Sequence, residues 1–186
     1  MRALKKVIPQ KYLHKAVTLR LSSSRIVEHM AQILIKNLIR QLHEIQEGSP
    51  WFDQSFKDKI DGLSDSQAMT RPIPGVHSVA EHVSHMLEWR KECMNQFQGF
   101  KTDLMNRPDN WKDNNELSKI GWTALKESFY KSQSELVRTL SSWDDSHLET
   151  RFMDTDYNFH YLIEGIIHHD LYHLGQIGVT IKLLKH

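Results

Sequence analysis

The chain has 186 residues, of which 24 are Lys or Arg, 23 are Asp or Glu and 12 are His, so its formal net charge is +1. This length suits one domain with a sizeable core. The single cysteine, Cys93, excludes an intrachain disulfide and favours a reducing compartment. No uncharged apolar run approaches the roughly 18 residues of a membrane span, and no segment has the pattern of a secretory signal peptide. We therefore expect a cytoplasmic domain without a membrane partner, whose unusual feature is its histidine content.

The near-neutral total hides two oppositely charged parts. Residues 1–29 hold seven basic residues and one acidic residue, a net charge of +6, which leaves −5 for residues 30–186. We expect residues 1–29 to be a basic, poorly ordered extension and residues 30–186 to form one domain. Such a tail could bind nucleic acid, but the acidic remainder argues against a broad phosphate-binding face. Nucleic acid is therefore not an expected partner.

The first predicted helix spans residues 31–47, where apolar residues recur at helical spacing. Its apolar stripe consists of Leu34, Leu38, Leu42 and Ile45. Residues 51–77 follow as a connection with short helical turns, one of which begins at Ser64.

The second predicted helix begins at Ser78, because Ser78 and Glu81 have the spacing of a capping box. It should end near Gln98. The later elements are a polar connection over residues 99–117, a third helix over residues 118–141 and a fourth helix over residues 158–184. No alternating pattern predicts a strand, so the expected fold class is an all-α bundle of four helices.

Two pairs of histidines have spacings that could direct imidazoles at one cation. His169 and His173 stand at positions i and i+4 of the fourth helix, and His82 and His85 stand three residues apart on the second. Facing helices of a bundle can build such a site, and three neutral imidazoles leave a coordination position for water or a thiol. Spacing alone does not decide whether His82 or His85 would be the third ligand.

The sequence around these histidines resembles a known family. Residues 169–177, His-Asp-Leu-Tyr-His-Leu-Gly-Gln-Ile, are similar to the C-terminal His-x-x-x-His-x-Gly-Gln motif of the DinB-like (YfiT-like) superfamily of metal-dependent enzymes. Residues 78–90 resemble the second-helix histidine segment of that family, and the similarity spans about residues 30–184. The resemblance implies an up-down-down-up four-helix bundle with a long crossover connection, often assembled as a homodimer.

The resemblance also implies a divalent metal ion, either nickel, zinc or iron. Matched position by position, the implied ligands are His85, His169 and His173. The candidates for supporting hydrogen bonds around them are His82, Asp170 and Gln176. For Asp170 two alternatives stay open: it could orient an imidazole or act as a base, or it could face solvent, because it is rotated by about 100° from its neighbour on the helix.

Characterised members of that family include thiol-dependent S-transferases and isomerases, and some act as amidohydrolases. The resemblance therefore implies a metal-dependent enzyme for a small-molecule substrate, either a thiol-dependent S-transferase or a hydrolase. A low-molecular-weight thiol would be the cosubstrate in the first case. The alternative is a non-catalytic metal-binding or dimerisation module, because a fold can carry many functions. The sequence assigns no catalytic residue.

Overall fold

The computed structural model of the protein describes residues 32–101, 103–153 and 155–185. Over these ranges the fold is all-helical and contains no strand beyond one isolated bridge between Arg151 and Asn158. The described residues form seven α-helices, namely α1 (Ile33–Glu47), α2 (Phe56–Ile60), α3 (Asp65–Met69), α4 (Val79–Phe97), α5 (Asn114–Ile120), α6 (Trp122–Ser141) and α7 (Phe159–Leu183). Short 3-10 helices lie at Leu104–Asn106, Pro108–Trp111 and Asp145–Glu149. The predicted basic extension, residues 1–29, lies outside the described residues.

The predicted start of the second long helix is confirmed. The Ser78 hydroxyl accepts a hydrogen bond from the Glu81 backbone N–H at 3.2 Å, and the Glu81 carboxylate accepts one from the Ser78 backbone N–H at 2.8 Å. This reciprocal pair satisfies two donors that a helix start otherwise leaves free. The short turn beginning at Ser64 is confirmed as α3, which has a capping box of its own. Asn158 caps α7 by accepting from the Tyr161 N–H, as its predicted start requires.

The predicted third helix over residues 118–141 is confirmed from Trp122 to Ser141, but it is interrupted at its start. Two helices, α5 and α6, replace it and meet at Gly121, which has a φ of 85°. Residues with a side chain rarely adopt this left-handed conformation, so the glycine allows the change of direction. Helix α5 begins inside the predicted polar connection, because Asp113 and Glu116 form a further capping box.

The buried stripe of α1 differs by one residue from its prediction. Leu34 is 41% exposed, whereas Ile35 is 1% exposed. The buried apolar residues of α1 are Ile35, Leu38, Leu42 and Ile45. Their spacings of three, four and three follow one side of the helix, while Leu34 stands about 100° away from Ile35 around the axis.

Helix α4 holds the central place in the fold, since it packs on α6 with one side and on α7 with another. It runs antiparallel to α7, because His82 contacts His173 while His85 contacts His169. This arrangement positions the histidines of the two helices against each other. None of the described helices combines the length and the apolar character that crossing a bilayer requires.

Candidate metal centre

Three histidine nitrogens converge between α4 and α7. The Nε2 atom of His169 lies 3.1 Å from the Nε2 atom of His85 and 3.1 Å from the Nε2 atom of His173. One ligand atom from each ring can be chosen so that all three lie within 4.8 Å of one another. His85 and His173 are buried, and His169 is partly exposed. The structure thus brings together the three histidines that the family resemblance selects.

The ring of His85 is held by a backbone carbonyl. Its Nδ1 atom lies 2.7 Å from the carbonyl oxygen of Asn110, in the 3-10 helix Pro108–Trp111. A carbonyl oxygen can only accept, so Nδ1 carries the proton and Nε2 presents a lone pair. Sequence reasoning missed Asn110, since a backbone carbonyl leaves no trace in the residue type.

The two contacts between Nε2 atoms cannot both be hydrogen bonds among neutral rings. Because the Nε2 atom of His85 is an acceptor, its bond to His169 needs a proton on the Nε2 atom of His169. That atom then has no lone pair left for a bond from His173, and its one proton is already directed at His85. A cation that accepts the lone pairs removes this conflict. Two imidazole nitrogens at about 2.1 Å from a tetrahedral zinc ion lie about 3.4 Å apart, close to the observed separation.

His82 lies on the other side of His173. The two Nδ1 atoms are 3.2 Å apart, so His82 faces the ring nitrogen of His173 that does not point to the convergence. A proton on Nδ1 of His173 can be donated to Nδ1 of His82, which leaves the Nε2 lone pair of His173 available. Of the two histidines that spacing left open, His85 is therefore the one that lies in the convergence.

Burial keeps these rings neutral. Desolvation, followed by repulsion from neighbouring imidazoles, lowers the pKa of His173 to about 3. Desolvation likewise lowers the pKa of His82 and of His85 to about 4, although the Asn110 carbonyl partly offsets the effect at His85. At neutral pH all three rings are uncharged, so His85 and His173 keep a lone pair for a cation.

Tryptophans form the walls of the convergence. The Trp111 ring is stacked between the rings of His77 and His85, with centroid distances of 4.0 Å and 3.8 Å. The Trp89 indole N–H donates to the Asn110 side-chain oxygen at 3.1 Å, and its ring lies 5.7 Å from that of His169. Sequence reasoning missed Trp111, although a tryptophan within a polar connection was an available signal.

Comparison with known protein families agrees with the resemblance seen in the histidine motifs. Residues 54–177 match the model of the DinB superfamily, and this range contains the three convergent histidines. The chain belongs to the DinB superfamily. No curated protein sequence matches it closely enough to count as a relative.

Asp170 of this DinB-superfamily chain is buried, which contradicts one of the two alternatives predicted for it. It does not face solvent: it is 1% exposed, and its Oδ2 atom accepts hydrogen bonds from the Arg90 Nε at 2.9 Å and from an Arg90 terminal nitrogen at 2.7 Å. Its Oδ1 atom lies 3.9 Å from Nδ1 of His169, and within the described chain neither atom has a hydrogen-bond partner. Sequence reasoning missed Arg90. The available signal was the position of a basic residue on the buried side of a helix.

Gln176 lies one turn beyond His173. Its Nε2 atom donates to the Tyr172 hydroxyl at 3.1 Å, while its Oε1 atom is buried and has no hydrogen-bond partner in the part of the chain described. Support of His173 by Gln176 stays a prediction.

Proposed function

We propose that this DinB-superfamily protein is a metal-dependent enzyme that holds a divalent cation with His85, His169 and His173 and acts on a small molecule. The convergence of the three Nε2 atoms carries the proposal. Imidazole nitrogen suits nickel, zinc and iron alike. When bound, such an ion supplies Lewis acidity, which makes a water molecule or a thiol a better nucleophile at neutral pH.

In this proposal each ligand ring is held by a partner at its Nδ1 atom. The Asn110 carbonyl orients His85, and His82 accepts from His173. Asp170 offers its free Oδ1 atom to the Nδ1 proton of His169, which a shift of less than 1 Å would bring into hydrogen-bond range. Partners of this kind fix the ring orientation and the tautomer of a ligand histidine.

The bundle topology belongs to the same proposal. We infer that the long helices α1, α4, α6 and α7 follow the up-down-down-up order of the resemblance. The antiparallel contact of α4 with α7 supports it, and residues 98–121 are long enough to serve as the crossover between α4 and α6. The homodimer, the cytoplasmic location and the choice between thiol-dependent transfer and hydrolysis stay predictions.

The first test is metal content. The full chain, purified without chelators, should contain about one nickel, zinc or iron ion by elemental analysis, and the variant H85A/H169A/H173A should contain less than about a tenth of that. The control H43A/H147A/H160A removes three other histidines, which all lie outside the convergence, and should keep the ion. Full metal content in the first variant would contradict the assignment.

The second test is turnover. Glutathione with 1-chloro-2,4-dinitrobenzene probes transfer, and p-nitroacetanilide probes hydrolysis. Activity should disappear with the triple variant and with chelator, and it should return when the metal is restored. A protein that binds the ion and turns over neither probe would instead support the non-catalytic module.

A further inference from the structure

A cavity of about 340 Å³ lies between α4 and α7 beside the metal centre. His169 forms part of its lining, as do Trp89 and Glu92 on α4 and Tyr161 and Gly165 on α7. His169 is also the most accessible of the three convergent histidines, because its side chain is 25% exposed while His85 and His173 are buried. The cavity therefore lies on the side from which the convergence can be reached.

The floor of the cavity is open because α7 carries a glycine there. Tyr161, Gly165 and His169 are spaced by four residues and share one side of the helix, so the floor extends about 12 Å from His169. A Cβ atom built at Gly165 would meet nothing within 4 Å, so close packing does not require the glycine. Glycine inside a helix is destabilising relative to alanine. The open space that Gly165 leaves in the cavity is the feature that offsets this loss.

The walls define the chemistry of a ligand. Trp89, Leu162 and Ile166 supply an aromatic and aliphatic surface. Burial raises the pKa of the Cys93 thiol, so this group stays protonated and adds to the apolar surface.

Glu92 adds one negative group at the far end. It is 4% exposed, and it accepts a long hydrogen bond of 3.4 Å from the Leu104 backbone N–H. A carboxylate has room for further donors. Glu92 stands seven residues from His85, which is about 10 Å along α4. A ligand that extends from the metal centre to Glu92 therefore needs a hydrogen-bond donor or a cationic group at the end remote from the metal.

We propose that this cavity is the substrate pocket of the metal centre and that it takes a small molecule with an aromatic or aliphatic body and a hydrogen-bond donor or amine at its far end. The proposal rests on the proposed function, because the metal-directed end of the substrate is placed at His169. The pocket selects against a carboxylate at the far end, since Glu92 would repel it.

The test uses hydroxamates, which bind metal ions through one end. Calorimetry of the zinc-loaded full chain should show that benzohydroxamate binds at least about tenfold more tightly than acetohydroxamate, because the phenyl ring is transferred from water to the apolar walls. The variant G165L should lose this gain, so that it binds benzohydroxamate and acetohydroxamate with similar affinity. G165A should lose part of it. The control E164L alters the neighbouring exposed residue and should keep the full gain.

The far end is tested separately. We expect 4-(aminomethyl)benzohydroxamate to bind more tightly than 4-carboxybenzohydroxamate by about tenfold or more, and E92Q to remove most of this preference. An equal affinity of the two compounds for the wild type would overturn the role of Glu92.

The outcomes separate the two proposals. Acetohydroxamate binding without a gain from the phenyl ring, or a gain that survives in G165L, overturns the pocket and leaves the metal centre in place. Failure of acetohydroxamate to bind the zinc-loaded wild type overturns the open coordination position of the proposed enzyme, and with it the pocket as its substrate site.

Discussion

Two buried polar groups lie between the same helices, α4 and α7, and they differ in how well their hydrogen bonds are satisfied. The Arg90 guanidinium donates to Asp170 at 2.7 Å and to the Phe129 carbonyl at 3.1 Å, and it covers the Phe129 ring at 4.0 Å. Further, longer contacts reach Gln46, Ser132 and Gln133. Its donors therefore have partners within the protein. The convergent histidines instead direct acceptor nitrogens at one another.

The difference indicates which group serves the fold and which serves a ligand. A buried polar network stabilises a fold only when its members are satisfied, and unsatisfied members raise its free energy. The Arg90–Asp170 pair meets this condition at Oδ2 of the carboxylate. The contacts among the described residues leave the histidine cluster short of it, and a cation would complete it. Its incompleteness within the chain is therefore the physical sign of a binding site.

Breaking the ion pair should give the largest effect on stability. We expect R90M to lower the free energy of unfolding by about 3–5 kcal/mol, because Asp170 would be left buried without its cation. Urea denaturation in the presence of chelator measures this. R40M removes an exposed i,i+4 pair with Glu44 and should change the same quantity by less than about 1 kcal/mol.

The unfolding free energy of H169L, measured in the same chelated buffer, tests the other side of this comparison. This substitution removes one of the conflicting nitrogens, so the unfolding free energy should change by less than about 1 kcal/mol in either direction. If H169L is as damaging as R90M, the histidine cluster is a structural network and the contrast drawn above fails.

Much of the helical arrangement was predictable because its signals are local. Ser78 with Glu81 located the start of α4, and Asn158 located the start of α7. The break at Gly121 was missed, since a glycine between two apolar runs also fits a continuous helix and only the backbone shows its positive φ. Leu34 was misplaced because the register of a first turn depends on what the helix packs against.

The candidate site was predictable in its histidines and not in their surroundings. The i,i+4 spacing of His169 and His173 is visible in one helix, and the family motif added His85. Asn110 and Arg90 act from distant segments, one through a carbonyl and one through a long side chain that crosses the core. Such partners follow from the packing of several elements, which no single segment encodes.

Acid should weaken the fold through His82, by a smaller amount than R90M does. Its pKa is about 4 in the folded chain, below the ordinary value of 6.5, so between these values the unfolded chain binds the additional proton. Stability therefore falls as the pH drops through this window, and His82 should contribute roughly 2 kcal/mol of that loss between pH 7 and 5.

The measurement is the unfolding free energy of the chelated protein as a function of pH. H82Q should flatten the acid slope by the amount stated, because the amide keeps an acceptor for His173 and does not titrate in this range. H43Q replaces a half-exposed histidine of α1 and should leave the slope unchanged. An unchanged slope in H82Q would mean that the ring is not held neutral by its burial.

The smallest expected effect concerns the stacked tryptophan. W111L removes an aromatic partner of His85, and such partners contribute about 0.5–1.5 kcal/mol, so zinc affinity should fall by about three- to tenfold while the metal stoichiometry stays the same. Competition with a chromophoric chelator measures the affinity. Trp51 is fully exposed, which makes W51L the matched control without an effect. An unaltered affinity in W111L would show that the Asn110 carbonyl alone orients His85. The ring orientation in the histidine cluster would then depend on hydrogen bonding rather than on stacking.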